Sequence, residues 1–466
     1  MVETLEKLCN TVWVHEEIPD EWKTGIIIPL PKKGDLSDCS NWRGITLLSL
    51  PSKVLCHVIL KRIKSAVETT LREEQNGFRP ARSCTDAIFS LRSIINKTVA
   101  AETPVFIHFV DFQKAFDSIH RETLWEIVKY YGIPQKCINV MMAIYDNSKC
   151  CVRLGGEKTK TFDIKTGVRQ GCVLSPFLFC LVIDFILRKL DRNEFGIPIE
   201  GQRIFDLDFA DDIALMDVSN EKLQSSTNEL KDMAEKIGLR FNVKKCEAMS
   251  TVGTEPHIKI DTQPVKAITS FTYLGSKINN TGNAQDEIRV RIGKAGAAFG
   301  KIEHILKSKN MSLKTKLNLY SATVLSVLLY GSETWHLYAA DGKRLNAFHQ
   351  RCLRRMLKVS YMEHVTNIEI LKRTGQRELT EILRERRLRW FGHVVRMGEE
   401  RIPKRVLNWI PPGRRKRGRP RLSWRGTLEG DLKKLDITWK EAEDLALQRD
   451  QWRRVAALCA SMHGKD

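Results

Sequence analysis

The sequence lacks the marks of several protein classes. Its 12 cysteines are scattered, with no CxxC pair and no knuckle spacing. That argues against a disulfide scaffold or a structural zinc site and predicts reduced, mostly buried thiols in an intracellular protein, with nucleus and cytoplasm both compatible. Cys150-Cys151 are adjacent, which suits no metal site. No apolar run reaches the ~20 residues of a membrane-spanning helix, and Met1 opens no signal peptide, so no membrane partner is expected. Acidic residues thin out toward the C-terminus. Residues 1–280 hold 37 Lys and Arg against 36 Asp and Glu, whereas residues 281–466 hold 39 against 20. Nearly all of the formal +20 therefore lies in the C-terminal part. Such an excess is the electrostatic footprint of a polyanion partner, although a merely soluble basic surface or an anionic membrane gives the same count. With 42% hydrophobic residues over 466 positions, a normal core and two to four domains are expected.

The most informative residues present are acids. Asp211 and Asp212 sit side by side in Phe209-Ala210-Asp211-Asp212-Ile213, and Asp111 follows the apolar run Phe109-Val110. Arg203 to Asp208 and Ile213 to Val218 flank the pair and read as the strands of a hairpin. Neighbouring residues of a strand point to opposite faces, so the pair serves one site only if it lies in a turn. Three carboxylates at strand ends suit two divalent metals roughly 3.5–4 Å apart, the arrangement that stabilises both oxygens of a phosphoryl transfer. Mg²⁺, with Mn²⁺ as substitute, prefers such hard oxygen ligands. Taken alone, an Asp-Asp pair is an ordinary turn.

Order supplies the context. Ile28-Pro29-Leu30-Pro31-Lys32-Lys33-Gly34 and Asn41-Trp42-Arg43-Gly44-Ile45 come first. Gln75-Asn76-Gly77-Phe78-Arg79-Pro80 with Arg82-Ser83-Cys84-Thr85-Asp86-Ala87 follow, then Phe109-Val110-Asp111-Phe112 through Asp117. After these come Arg169-Gln170-Gly171-Cys172, Phe209-Ala210-Asp211-Asp212, Gly238-Leu239-Arg240-Phe241 through Glu247, and Phe271-Thr272-Tyr273-Leu274-Gly275. Over most of its length the chain resembles the reverse transcriptase of non-LTR (LINE-type) retrotransposons.

The resemblance implies an α+β right-hand polymerase fold: fingers over 1–104, palm over 105–280, thumb over 281–335 and a basic, mainly helical C-terminal domain over 336–466. It implies an RNA-directed DNA polymerase that joins dNTPs to a DNA primer on an RNA template, with RNA/DNA hybrid as product. Asp111, Asp211 and Asp212 are implied as ligands of two Mg²⁺ ions, and Arg79 as the triphosphate contact. Phe116 is implied as the ring that screens the sugar 2′-OH, the alternative being a core Phe. Gln170 and Gly171 are implied to line the nucleotide pocket, with Gly171 allowing close backbone approach to a ligand. Lys245, with Lys244 second, matches the lysine that protonates departing pyrophosphate. Asp117 is expected to cap a helix, and Asp206 and Asp208 to face solvent or tune the metal site.

Further along, four helices are expected: Asp286–Leu306, Leu313–Leu329, Gly342–Leu357 and Glu378–Arg396. Arg386, Arg387 and Arg389 beside Trp390 and Phe391 suit either backbone contact with base stacking or a solvated basic face. His393 has no partner at ligand spacing. Arg414, Arg415, Lys416 and Arg417 form a charge run that suits nucleic acid or a nuclear address. No endonuclease is apparent, so a fragment or truncated copy of a longer element is expected. Two rival readings remain: a catalytically silent nucleic-acid-binding remnant, and RNA-directed RNA synthesis, against which Phe116 argues.

Overall fold

Five consecutive apolar or buried residues, Phe106–Val110, form the middle strand of the main sheet in the computed structural model, which describes residues 2–32, 34–190, 195–251, 253–413 and 421–458. The strand order is Lys266–Ala267, Glu247–Ser250, Phe106–Val110, Asp212–Asp217, Asp206–Phe209. A strand buried on both faces needs apolar residues at every position, and alternate residues then feed opposite cores. Phe106, Val110, Ile213 and Leu215 join one core with helices Ser175–Arg188 and Asn220–Lys236. Ile107, Phe109, Ala214 and Met216 join the other, with helix Cys84–Ala100 and helix Ile402–Asn408. A second sheet pairs Thr24–Pro31 antiparallel with Trp42–Leu47 and parallel with Lys149–Leu154.

Asn220–Lys236 buries the stripe Leu223, Leu230 and Ala234, as its 3.6-residue spacing predicts, and is capped by Ser219, which accepts from Lys222 N. The helix expected over Leu313–Leu329 is broken. It is α-helical over Leu313–Tyr320, widens into a π-turn over Ser321–Leu325 and resumes over Ser326–Leu328. Thr323 Oγ1 donates to Leu319 O at 2.6 Å and Ser326 Oγ to Ala322 O at 2.6 Å, and such hydroxyls draw carbonyls away from the helix ladder. Nor does packing pause at residue 335. Trp335 is wholly buried in a core that runs from Ala284 to Leu383. Among the described residues every cysteine is free, and no helix is long and apolar enough to cross a membrane.

The basic–aromatic helix, Leu379–Val395, turns its aromatics inward. Trp390 and Phe391 lie in a C-terminal core with Trp424 and Trp452. Trp452 Nε1 donates to Leu388 O at 2.7 Å, and a Cβ on Gly392 would stand 2.2 Å from the Trp452 ring, so only glycine fits there. Base stacking by Trp390 and Phe391 is thus corrected to core packing. Arg387 is corrected likewise: its buried guanidinium donates to Asp431 Oδ2 at 2.7 Å and Trp335 O at 3.1 Å. Arg386 reaches Leu329 O at 2.7 Å, and Arg389 pairs with Glu385. Arg414, Arg415, Lys416 and Arg417 lie outside the described residues. Replacing Arg387 with Ala removes one partner of a buried ion pair, which should cost about 3 kcal/mol of unfolding free energy in a urea titration. Weakened RNA binding at unchanged stability would contradict the structural role.

Candidate active site

The aspartates are assembled by strand register. Ile213 lies opposite Val110, so Asp111, one step past its strand, comes level with Asp212, the first residue of the next strand. Phe209 pairs with Asp212, leaving Ala210 and Asp211 as the two-residue turn. Ala210 is left-handed at φ 59°, a conformation that costs an L-residue roughly 1–2 kcal/mol. Asp111 is fixed from behind: Asn242 N donates to Asp111 O at 2.8 Å, and Cys246 Sγ lies 3.5 Å from Asp111 N.

Neighbouring carboxyls act on Asp212 and on Asp111. Burial, then Asp211, then Asp111 push Asp212 up to about 6. Burial raises Asp211, with Arg43 opposing. Burial also raises Asp111, opposed by Lys245, whose Nζ stands 3.9 Å from Asp111 Oδ1, and by Asn242; Oδ1 itself has no hydrogen-bond partner among the described residues. Among the described residues no three His, Cys, Asp or Glu side chains are drawn together tightly enough to hold a metal ion. The donor chemistry nevertheless suits a hard cation: carboxylate oxygens only, mutually repelling, with one unsatisfied.

The turn is held by a residue whose role the sequence did not reveal. Gln75, wholly buried, accepts with Oε1 from Ala210 N at 2.9 Å and from Gly77 N at 2.8 Å. A Cβ on Gly77 would stand 2.4 Å from Ala210 N, so the two backbones are in contact. Beneath them lies a buried charge cluster. Arg72 donates through Nε to Asp184 at 3.2 Å, through Nη1 to Asp206 at 2.6 Å and through Nη2 to Asp208 at 2.7 Å. Asp206 and Asp208 are fully buried, which corrects the solvent-facing alternative. Burial and the adjacent Asp206 hold the Asp208 carboxyl well above its ordinary range, with Arg72 opposing.

Other expected residues take different places. Arg79 is turned inward: Nε donates to Glu68 at 2.8 Å and Nη1 to Gln75 O at 2.9 Å, and its side chain is 4% exposed. A triphosphate contact would require breaking these bonds. Gly171, at φ 116°, does approach another backbone closely, but it is Thr46 O, 2.2 Å from where a Cβ would be. Gln170 O accepts from Thr46 N at 2.8 Å, and Gln170 Nε2 donates to Asp117 Oδ1 at 3.1 Å. Asp117 therefore steadies Gln170 rather than capping a helix. Phe116 is half-buried and stacks on Phe179 with ring centroids 4.4 Å apart, so one face is core. Ser175 opens the helix Ser175–Arg188, its hydroxyl donating to Arg169 O at 2.7 Å.

Exchanging Gln75 for Ala strips two buried N–H groups of their acceptor and should cost about 2 kcal/mol in chemical denaturation. An unfolding free energy changed by less than about 0.5 kcal/mol would show that the clamp is idle.

Comparison with known proteins identifies a family. Residues 30–278 match the family described as Reverse transcriptase (RNA-dependent DNA polymerase). The chain is 27% identical over 338 residues to the Pol polyprotein of the type-1 retrotransposable element R2 of Popillia japonica, covering 69% of this chain and 46% of that protein. It is 22% identical over 392 residues to the RNA-directed DNA polymerase from mobile element jockey of Drosophila melanogaster, covering 78% and 41%. The chain spans less than half the length of either relative. Apo telomerase from Candida tropicalis, truncated from the C-terminal domain, aligns at 13% identity and TM-score 0.43, covering 60% of this chain and 59% of that one. With over half its residues inside that match, and the ordered aspartates within it, the chain belongs to the reverse transcriptase (RNA-dependent DNA polymerase) family.

Proposed function

We propose that the protein is the RNA-directed DNA polymerase of a non-LTR retrotransposon, extending a DNA primer with dNTPs on an RNA template. The observation that carries this reading is the register that brings Asp111 level with Asp212, with Asp211 in the turn between strands. Two Mg²⁺ ions, when bound, stabilise the attacking 3′-oxygen and the departing pyrophosphate oxygen. Asp111, Asp211 and Asp212 would hold them. The primer 3′-OH gives up its proton to solvent water and attacks the α-phosphorus, the bond to the bridging oxygen breaks, and pyrophosphate leaves. Lys245, 3.9 Å from Asp111, would balance carboxylate charge and donate a proton to pyrophosphate. Phe116, backed by Phe179, presents a ring that a 2′-OH would meet, and Gln170, fixed by Asp117, lines the pocket. Fingers and palm are assigned to 1–104 and 105–280; the segment assigned as thumb, 281–335, shares one core with the start of the basic helical domain over 336–466.

Primer extension on a primed RNA template tests the reading. Wild-type protein should extend with dNTPs and Mg²⁺, and Asp211→Asn should lose at least about a hundredfold in rate, the order expected when charge stabilisation is removed from a transition state. No extension by wild-type protein that still binds RNA would favour the catalytically silent remnant. Phe116→Ala should admit rNTPs, and unchanged rNTP exclusion would refute the gate.

Titration of Asp212 gives a further expectation. Its carboxyl is raised from 3.8 to about 6, so the metal-free fold binds the proton more tightly than the unfolded chain does. Stability is then lost as pH rises through that interval. Bound Mg²⁺ favours the ionised form, so the Mg²⁺-induced rise in Tm should be larger at pH 7 than at pH 5, and Asp212→Asn should shrink the difference. A Tm gain independent of pH would contradict the assignment.

A further inference from the structure

A cavity of about 560 Å³ opens between helix Cys84–Ala100 and the C-terminal helices. None of its lining belongs to the aspartate hairpin or to the loops that support it. Phe89, Trp409 and Trp424 supply aromatic wall, Phe89 meeting Trp424 edge-on with centroids 5.0 Å apart. The ionisable lining among the described residues is entirely basic: Arg92, Lys97, His336 and Arg425, with no Asp or Glu.

Two of these groups are unsatisfied. Arg92 is 2% exposed and uses Nη2 on Ser276 Oγ at 3.0 Å and Lys277 O at 3.2 Å, while its Nε and Nη1 have no partner among the described residues. His336 is also 2% exposed, and its Nε2 has no partner there either. Burial, with Arg92 adding to it, pushes His336 down to about 4, leaving that imidazole neutral at pH 7. Lys97 is committed otherwise: its ammonium donates to Val406 O at 2.7 Å and Leu407 O at 2.9 Å and so fixes the Trp409 wall. Arg425 stands at the rim with its side chain 43% exposed.

Glu287 acts on Arg92 through space but spends Oε1 on Arg291 Nε at 2.6 Å and Oε2 on Lys277 N at 2.6 Å, and a buried guanidinium with two open donors is costly unless an acceptor completes it. Aromatic walls beside a cation are the chemistry that takes a nucleotide, the base on the rings and the phosphate on the arginine fork. The volume lies within the range of small-ligand pockets. We propose that this cavity binds one nucleotide unit, its base against Trp409 and Trp424 and its phosphate toward Arg92 and Arg425. The unit is either a free nucleotide or one nucleotide of a single strand.

The test is tryptophan fluorescence of the full chain titrated with AMP and, separately, with a short oligoadenylate. Asp211→Asn protein is run alongside, since the cavity does not involve Asp211 and its binding should match wild type even if polymerisation is absent. Saturable quenching is expected. Arg425→Glu should weaken it about tenfold, and Ala100→Phe, which places a ring in the cavity, should abolish it. Saturation by AMP identifies a free nucleotide as sufficient, and saturation by the oligonucleotide alone identifies a strand. Absence of quenching by both probes overturns the proposal, as does wild-type affinity in Ala100→Phe protein of unchanged circular dichroism. Should Ala100→Phe fail to fold, unchanged affinity in Arg425→Glu protein overturns it instead.

Discussion

The contact of Arg72 with Asp184, Asp206 and Asp208 is the constraint on which the site depends. One guanidinium, fully buried, joins the segment after helix Leu50–Glu68 to helix Ser175–Arg188 and to the strand Asp206–Phe209. Three carboxylates around one cation leave excess negative charge, which Arg188, bonded to Asp184 at 2.9 Å, and the raised Asp208 carboxyl reduce. Desolvation makes such a cluster a poor source of net stability but a strong source of specificity, because any other register strands a charge in the core. Asp206 and Asp208 are two residues apart and share a face, so a slip by one residue would remove both from Arg72.

That registry is transmitted directly to the reactive turn. Asp208 N donates to Glu74 O at 3.1 Å, and Asn76 N to Asp208 O at 2.8 Å, so the segment 74–77 lies alongside the hairpin strand. Gln75 then reaches Ala210, whose left-handed backbone would relax without a fixed acceptor. The Ala210-Asp211 turn is therefore positioned from the side of the Gln75-Asn76-Gly77 segment, and any motion of that segment moves the turn with it.

Sequence spacing carried the hairpin around Asp211 and Asp212, because it is a local pattern followed by short-range structure. It did not carry Arg72, whose partners lie 112 to 136 positions away, nor Gln75, 135 positions from Ala210. A buried Arg and a solvated one are the same letter in a sequence. The inward turn of Arg79 and the Thr46 contact of Gly171 escaped for a related reason: glycine signals close approach without naming what approaches. One signal was present, in the Asp at alternate positions 206 and 208 of an otherwise apolar strand. Paired acids on one face of a buried strand require a cation opposite.

The same distinction limits the meaning of the basic C-terminal part. Its excess of cationic residues is a count of charges, whereas affinity for phosphate depends on how many can leave their protein partners. Arg387 is held by Asp431, Arg401 by Asp86 at 2.6 Å and Glu73 at 2.8 Å, and Arg405 by Gln202 at 2.8 Å. Arg401 and Arg405 tie the C-terminal helix Ile402–Asn408 to the N-terminal half of the chain, so their charge works as mortar between the two halves. A guanidinium bonded at such distances cannot also neutralise a phosphate without giving up the carboxylate that holds it. The salt dependence of any RNA binding would therefore reflect fewer charges than the sequence contains, drawn from exposed side chains such as Arg425, which pairs with the exposed Glu429 and lies over the Trp439 ring.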